Sequence, residues 1–171
     1  MANHEIELVV AKQAIYELSC QYCRGLDRLD AELLRSVFFE DAYCEYGFYN
    51  GRPTEFIDYA MKALESHTVN HHMIGNALIE VEGSEAFGEI YFRAYHKLES
   101  ESGFQDLIIA GRYIDRYERR DGVWKIAYRS ERNDWSRTEN TNDVYFEAAP
   151  DGLRGSRRDD AVYDRSNRRS P

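Results

Sequence analysis

The sequence predicts an α+β fold in one principal domain, with helices closing one face of a curved sheet. Two observations predict it. Up to about Ser66 most apolar residues recur at helical spacing, while from Thr68 four long segments carry strand character. Those segments are divided by turn chemistry at Glu82-Gly83, Glu99 to Gly103 and Asp121-Gly122.

From Ile6 to about Leu26 the apolar residues recur at helical spacing, among them Val9, Val10, Ala14, Leu18 and Tyr22, which marks a first helix that Gly25 weakens near its end. Asp30 fits the N-cap of a second helix through Leu33, Leu34 and Val37. Ala42 to Tyr49 reads as a short strand with Cys44, Tyr46 and Phe48 on one side, and Asn50-Gly51 as a turn. Pro53 starts a third helix to about Ser66, with Phe56, Ile57, Ala60 and Leu64 inward. Strands follow at Thr68 to Val81, Ala86 to Leu98, Gln105 to Arg119 and Val123 to Trp135. We place the domain at residues 1–137. Residues 138–171 form a C-terminal arm whose last stretch, Asp151 to Pro171, has almost no apolar content. The arm is either a solvated tail or a segment lying over a neighbouring subunit or the cavity mouth, anchored by Val144, Tyr145 and Phe146.

At 171 residues and 43% hydrophobic content the chain can fold without disulfides or metals. A net charge of −9 argues against nucleic-acid or anionic-membrane partners. No apolar run approaches the ~18 residues of a membrane span. Thirteen tyrosines suit an apolar cavity that offers hydroxyls, and equally strand or interface surfaces. Cys20 and Cys23 form a C-x-x-C on a helix with no second pair, and Cys44 stands apart, so buried inert thiols are expected and no metal site is supported. The first residues lack the basic and apolar regions of a secretory leader, and a cytoplasmic protein is expected.

Strand parity sorts the titratable groups. Ile90, Phe92, Ala94, His96 and Leu98 share a face, which puts His96 on the buried side. Leu107, Ile109, Gly111 and Tyr113 share a face of the next strand. Around His71-His72 both faces are mixed, and parity leaves open which histidine points inward. The two face opposite ways, so they cannot chelate one ion together. Asp27, after the first helix, is a cap, a surface ion-pair partner, or the carboxylate that orients an imidazole base.

Several stretches together resemble scytalone dehydratase and the wider SnoaL-like group of the nuclear transport factor 2-like superfamily. They are Leu26-Asp27-Arg28-Leu29-Asp30, Cys44-Glu45-Tyr46, His71-His72-Met73-Ile74-Gly75-Asn76, Tyr95-His96, and Asp121-Gly122-Val123-Trp124-Lys125 through to Trp135. The resemblance implies a cone-shaped, cystatin-like α+β barrel, a curved mixed sheet wrapped by three helices around a deep apolar pocket. It implies cofactor-free elimination from a ring beside an activating carbonyl. Asp27 and His72 match the family's dyad, His96 a second pocket histidine, and Tyr46 a tyrosine that polarises a carbonyl. Tyr22 resembles a pocket tyrosine of the bile acid 7α-dehydratases; five helical residues span ~500°, so it shares a direction with Asp27 only if the helix bends or ends near Gly25. Phe48, Ile74, Asn76, Phe92, Leu107, Ile109, Gly111 and Tyr113 are the expected substrate-binding residues.

The departures bear on substrate. Leu26 stands where scytalone dehydratase has a tyrosine, and Gly111 and Tyr113 replace polar groups, Gly111 enlarging the pocket. The expected substrate is a small hydrophobic cyclic molecule, steroid- or polyketide-like, from which water is eliminated. A ring-ketone isomerase or cyclase, or a non-catalytic ligand carrier, would use the same cone. A homo-oligomer is expected, a trimer before a dimer, with Tyr91, Arg93 and Tyr95 at the contact.

Overall fold

The computed structural model describes residues 2–101 and 103–166. Helix α1 (Ala2–Arg28), helix α2 (Ala31–Ser36), strand β1 (Phe38–Glu45), strand β2 (Asn50–Gly51) and helix α3 (Pro53–Glu65) precede four long strands. These are β3 (Val69–Glu82), β4 (Glu85–Ser100), β5 (Gly103–Arg120) and β6 (Val123–Asn140), and a short helix α4 (Val144–Ala148) follows. One curved, unclosed six-stranded sheet results, in the order β2-β1-β6-β5-β4-β3. It is mixed: β1 runs parallel to β6, and the remaining pairs are antiparallel.

Three boundaries near the site differ from the sequence reading, and β6 runs on to Asn140, past the expected end at Trp135. α1 runs through Gly25 to Arg28, which places Asp27 in its last turn and not beyond it. The helix stops because Leu29 turns left-handed (φ 53°), so that its N–H bonds the Leu26 carbonyl and the Asp30 N–H bonds that of Gly25. Asp30 then caps α2 by accepting from the Leu33 N–H at 2.9 Å. β1 begins at Phe38, four residues before the expected Ala42, because it pairs with β6 from its first residue. Asn50-Gly51 is a strand against β1, and the turn lies earlier, at Gly47 (φ 80°), closed by the Tyr46 N–H on the Tyr49 carbonyl.

Bulges break the alternation of two strands. In β3 the register jumps from Ile74 opposite Phe92 to Ala77 opposite Ile90, leaving Gly75 and Asn76 against Tyr91 alone. In β6 it jumps at Ala127 and again at Asp134. At the second jump the β6 backbone presses on β5, where a Cβ on Gly111 would meet the Arg132 carbonyl oxygen at 2.1 Å. Gly111 therefore serves a close backbone approach; the expected enlargement of the pocket is not its role.

Ile15, Leu18, Tyr22 and Leu26 of α1 and Phe56, Ile57, Ala60 and Leu64 of α3 join Ile90, Phe92, Ala94, Tyr113, Tyr117 and Ile126 in the core. Inside it, Arg129 makes a two-pronged ion pair with Asp115 (2.8 and 2.7 Å), both side chains fully buried. The Arg129 guanidinium also lies over the rings of Tyr22 (4.2 Å) and Tyr113 (4.1 Å), and Tyr117 donates to Asp115 at 2.6 Å.

The arm folds back on its own chain. Arg28 donates to the Ser156 carbonyl at 2.6 Å and pairs with Asp160; Arg157 donates to the carbonyls of Leu64 and His67; Tyr163 donates to Asp30. Val144, Tyr145 and Phe146, the expected anchors, are exposed. Polar contacts hold the arm because its sequence has few apolar groups to bury. No helix among the described residues is long and apolar enough to cross a membrane.

Removing one member of a buried pair leaves the other charge uncompensated. Arg129→Met is expected to cost about 3–5 kcal/mol of unfolding free energy, read from urea denaturation. A loss below about 1 kcal/mol would show that Asp115 is satisfied without it.

Candidate active site

Asp27 meets the backbone and side chain of one residue 45 positions away. Its two carboxylate oxygens accept the His72 N–H at 2.9 and 3.0 Å, and Oδ1 lies 2.7 Å from His72 Nδ1. Both side chains are below 10% exposed. A carboxylate only accepts, so Nδ1 carries a proton, and the tautomer this selects for the uncharged form of the ring has its lone pair on Nε2. His72 lies opposite Ala94 on the inner face, whereas His71 lies opposite Tyr95 and is exposed. This answers what parity left open. Beyond Gly75-Asn76 the inward positions change from Asn70, His72 and Ile74 to Ala77 and Ile79, which is why both faces read as mixed.

A cavity of about 320 Å³ opens on the other side of His72. Tyr22 and Leu26 line it from α1; Phe56, Tyr59, Ala60, Ala63 and Leu64 from α3; and Phe92, Ala94, His96, Leu107, Ile109 and Tyr113 from the sheet. Phe48, His67 and Glu131 complete the wall. Asp27 is not on it. Because α1 stays helical past Gly25, Tyr22 and Asp27 diverge as their angular separation requires. Asp27 lines a second hollow of about 350 Å³ with Cys20, Cys23, Arg24, Arg28, Met73, Ile74, Asp160 and Val162. His72 borders both hollows. Asp27 is thus set behind the imidazole, where it can orient the ring and stabilise a proton on it.

His96 lies edge-on to His72, ring centroids 5.2 Å apart. Its Nδ1 is 3.0 Å from Asn70 Oδ1, which also meets His67 Nδ1 at 2.9 Å. Asn70 Nδ2 donates to the Leu64 carbonyl, so its oxygen faces the two rings, and both histidines present Nδ1–H to it. Burial pushes His96 down to about 3, with His72 and His67 adding to the shift, and burial also lowers His67. His96 is therefore neutral, with an accepting Nε2.

Of the other expected residues, Tyr22, Phe48, Phe92, Leu107, Ile109 and Tyr113 line the cavity. Tyr46 does not: it is stacked on Phe56 at 4.1 Å, and its hydroxyl lies 3.0 Å from that of Tyr22, which does line the cavity. Burial raises the pKa of both phenols, so both remain protonated. Ile74 faces the second hollow, Asn76 is exposed in the bulge, and Gly111 is occupied by the β6 crossing. His67, Asn70 and Glu131 were missed. Asn70 shares the parity of His72 and was legible once that histidine was oriented. Glu131 had no such signal, since the Ala127 bulge reverses the strand's faces before it. Among the described residues no group of three His, Cys, Asp or Glu side chains is arranged to hold a metal ion.

Solved structures with the same fold include a variant of Rv3472, a protein of unknown function from Mycobacterium tuberculosis. It is 29% identical over 75% of this chain and 74% of its own, with a TM-score of 0.63. A scytalone dehydratase-like protein from Novosphingobium aromaticivorans is 25% identical over 83% of this chain and 94% of its own, TM-score 0.66. The hexachlorocyclohexane dehydrochlorinase LinA-type3 from Novosphingobium barchaimii is 23% identical over 79% and 94%, TM-score 0.70. A search of curated proteins finds no match. The SnoaL-like domain model matches residues 8–130, which reach from α1 into β6 and include the Asp27–His72 pair. The chain belongs to the SnoaL-like domain family, within the nuclear transport factor 2-like superfamily.

Proposed function

We propose that this protein is a cofactor-independent carbon–oxygen lyase, a dehydratase acting on a hydrophobic cyclic, steroid- or polyketide-like substrate. One observation carries the reading: a histidine whose Nδ1 is fixed on a buried carboxylate and whose ring borders an apolar cavity. Nothing in a ligand carrier requires that pairing. An imidazole held so is a base toward whatever occupies the cavity. His72 Nε2 takes a proton from the carbon next to a ring carbonyl, and Asp27 stabilises the resulting imidazolium. The Tyr22 hydroxyl, hydrogen-bonded with Tyr46 behind it, stabilises charge on the carbonyl oxygen. Collapse of the enolate expels the neighbouring oxygen substituent. The aromatic walls exclude water and so strengthen each polar contact. The LinA and scytalone dehydratase-like proteins are named for eliminations of this general kind on this fold.

We further propose a cytoplasmic homo-oligomer, a trimer before a dimer. Three free cysteines support the compartment. Exposed Phe87, Tyr91 and Ile114 on the sheet's outer face, beside Arg93 and Tyr95, support the assembly.

Decalone, a fused-ring ketone, serves as a probe of carbon-proton removal. Wild type is expected to exchange its α-hydrogens in D2O, and His72→Ala or Asp27→Asn to slow this by about 10²–10⁴-fold with the fold intact by circular dichroism. Wild-type rates in either variant would remove that residue from the chemistry, and on the true substrate a product of unchanged mass would indicate isomerisation. Stability should also follow the state of His96. Above pH 6.5 the ring is neutral both folded and unfolded; below it the unfolded chain binds a proton that the folded chain refuses until about pH 3. Stability therefore falls as pH drops through that window, and His96→Gln should remove a part on the order of a few kcal/mol, read from urea midpoints at pH 7 and pH 4. Identical pH dependence in the variant would mean His96 is protonated in the fold. Sedimentation at micromolar concentration is expected to show the oligomer, and a monomer would refute it.

A further inference from the structure

The cavity wall includes a carboxyl that the His72–Asp27 chemistry leaves without a task. Glu131 lies on β6 opposite Tyr113, and among the described lining residues it is the only carboxyl. We propose that Glu131 is the acid that delivers a proton to the oxygen leaving the substrate, which makes the leaving group a ring-borne hydroxyl. This rests on the reading of His72 as the base, and it names the group expelled.

Geometry selects Glu131 over the other polar residues. β3 and β6 are three strand steps apart, about 14 Å along the sheet, yet the sheet's curvature brings His72 and Glu131 to one cavity. Base and acid therefore address a ligand from different walls. Asp27 cannot serve, since it lies behind His72. His96 has its proton on Nδ1, directed at Asn70, and offers the cavity only an acceptor. The phenols of Tyr22 and Tyr113 are far weaker acids than a carboxyl, and burial weakens them more.

The charged and titratable surroundings of Glu131 fit the role. His72 of β3, Tyr22 of α1 and Tyr113 of β5 share the cavity with it, and the buried Arg129 lies two residues earlier on the same face of its own strand. Arg129 is committed to Asp115 by two hydrogen bonds and does not pair with Glu131 in the same way. Burial raises the carboxyl's pKa, opposed by a hydrogen bond from Asn133 and by His72 and Arg129. A ligand filling the cavity would remove more water from it and push it further in the same direction.

The step balances. The C–H bond breaks and its proton passes to His72 Nε2; the electron pair forms the new C=C bond; the C–O bond breaks as the Glu131 O–H proton passes to the oxygen, releasing water. The imidazolium proton then returns to the Glu131 carboxylate through a water molecule, restoring both groups. A halide would leave as an anion without needing that proton.

Two probes separate these cases: a β-hydroxy decalone and its β-chloro counterpart, both followed by enone absorbance. Glu131→Gln, nearly isosteric, is expected to slow loss of the hydroxyl at least about 100-fold. Loss of chloride, and α-hydrogen exchange of decalone in D2O, should slow at least about tenfold less than loss of the hydroxyl. An equal slowing of both eliminations, or no slowing of hydroxyl loss, would overturn the proposal. His72→Ala should suppress all three reactions; if wild type exchanges no α-hydrogen, the base assignment fails separately. The titration of the Glu131 side-chain carbon by ¹³C NMR, assigned with the Glu131→Gln variant, decides even where neither probe reacts. A midpoint above the ordinary glutamate range supports the proposal, and one at or below that range overturns it.

Discussion

Three contacts from one residue converge on the Asp27 carboxylate, two from the His72 backbone N–H and one from its ring. They tie the last turn of α1 to the middle of β3, and much else follows from where that tie is made. The helix must end immediately after Asp27, and the left-handed Leu29 with Asp30 as the next cap ends it in two residues. The strand must present His72 inward, and the bulge at Gly75-Asn76 lets it do so while Ala77 and Ile79 still reach the core. A buried carboxylate is costly unless its lone pairs are used. Here they are used by the group it orients, so the stabilising contact and the functional one coincide.

The polar groups are arranged in layers around that tie. Asp27 stands behind His72; Tyr46 stands behind Tyr22; Asn70 stands behind His96 and His67. In each case a residue off the cavity, or at its margin, fixes the hydrogen-bonding state of one that lines it. Arg129 extends the pattern, since its guanidinium is clasped by Asp115 and flanked by the rings of Tyr22 and Tyr113. Side chains held this way need little rearrangement when a ligand enters, which is the condition for electrostatic catalysis in an apolar site.

Much of this was legible in the sequence and some was not, for identifiable reasons. Helical periodicity gave the three main helices, and the two-residue alternation of β4 placed His96 and Phe92 inward without help. Asp27 and His72 were legible only through the family resemblance, because 45 residues separate them and no local pattern links a helix end to a strand. Tyr46 and Asn76 show the limits of matching by position: the first is screened by Tyr22 and the second is turned outward by a bulge. Gly111 shows that a small residue on a pocket-facing row can mark pressure from a neighbouring strand and not free space. Glu131 was hidden most completely, since counting by twos from Ile126 leads to Tyr128 and Ser130.

That miscount at Ala127 has an evolutionary side. The one supernumerary residue in β6 is absorbed by the bulge, so that Arg129 and Glu131, and not Tyr128 and Ser130, continue the inner row from Ile126 as far as the second jump at Asp134. A lineage that lost the codon for Ala127 would keep Arg129 and Glu131 on the inner face against the same β5 partners, because removing the bulged residue restores the two-residue alternation. Relatives with and without such a residue can thus present the same wall, and alignments that close the gap silently will pair residues that never occupied the same place.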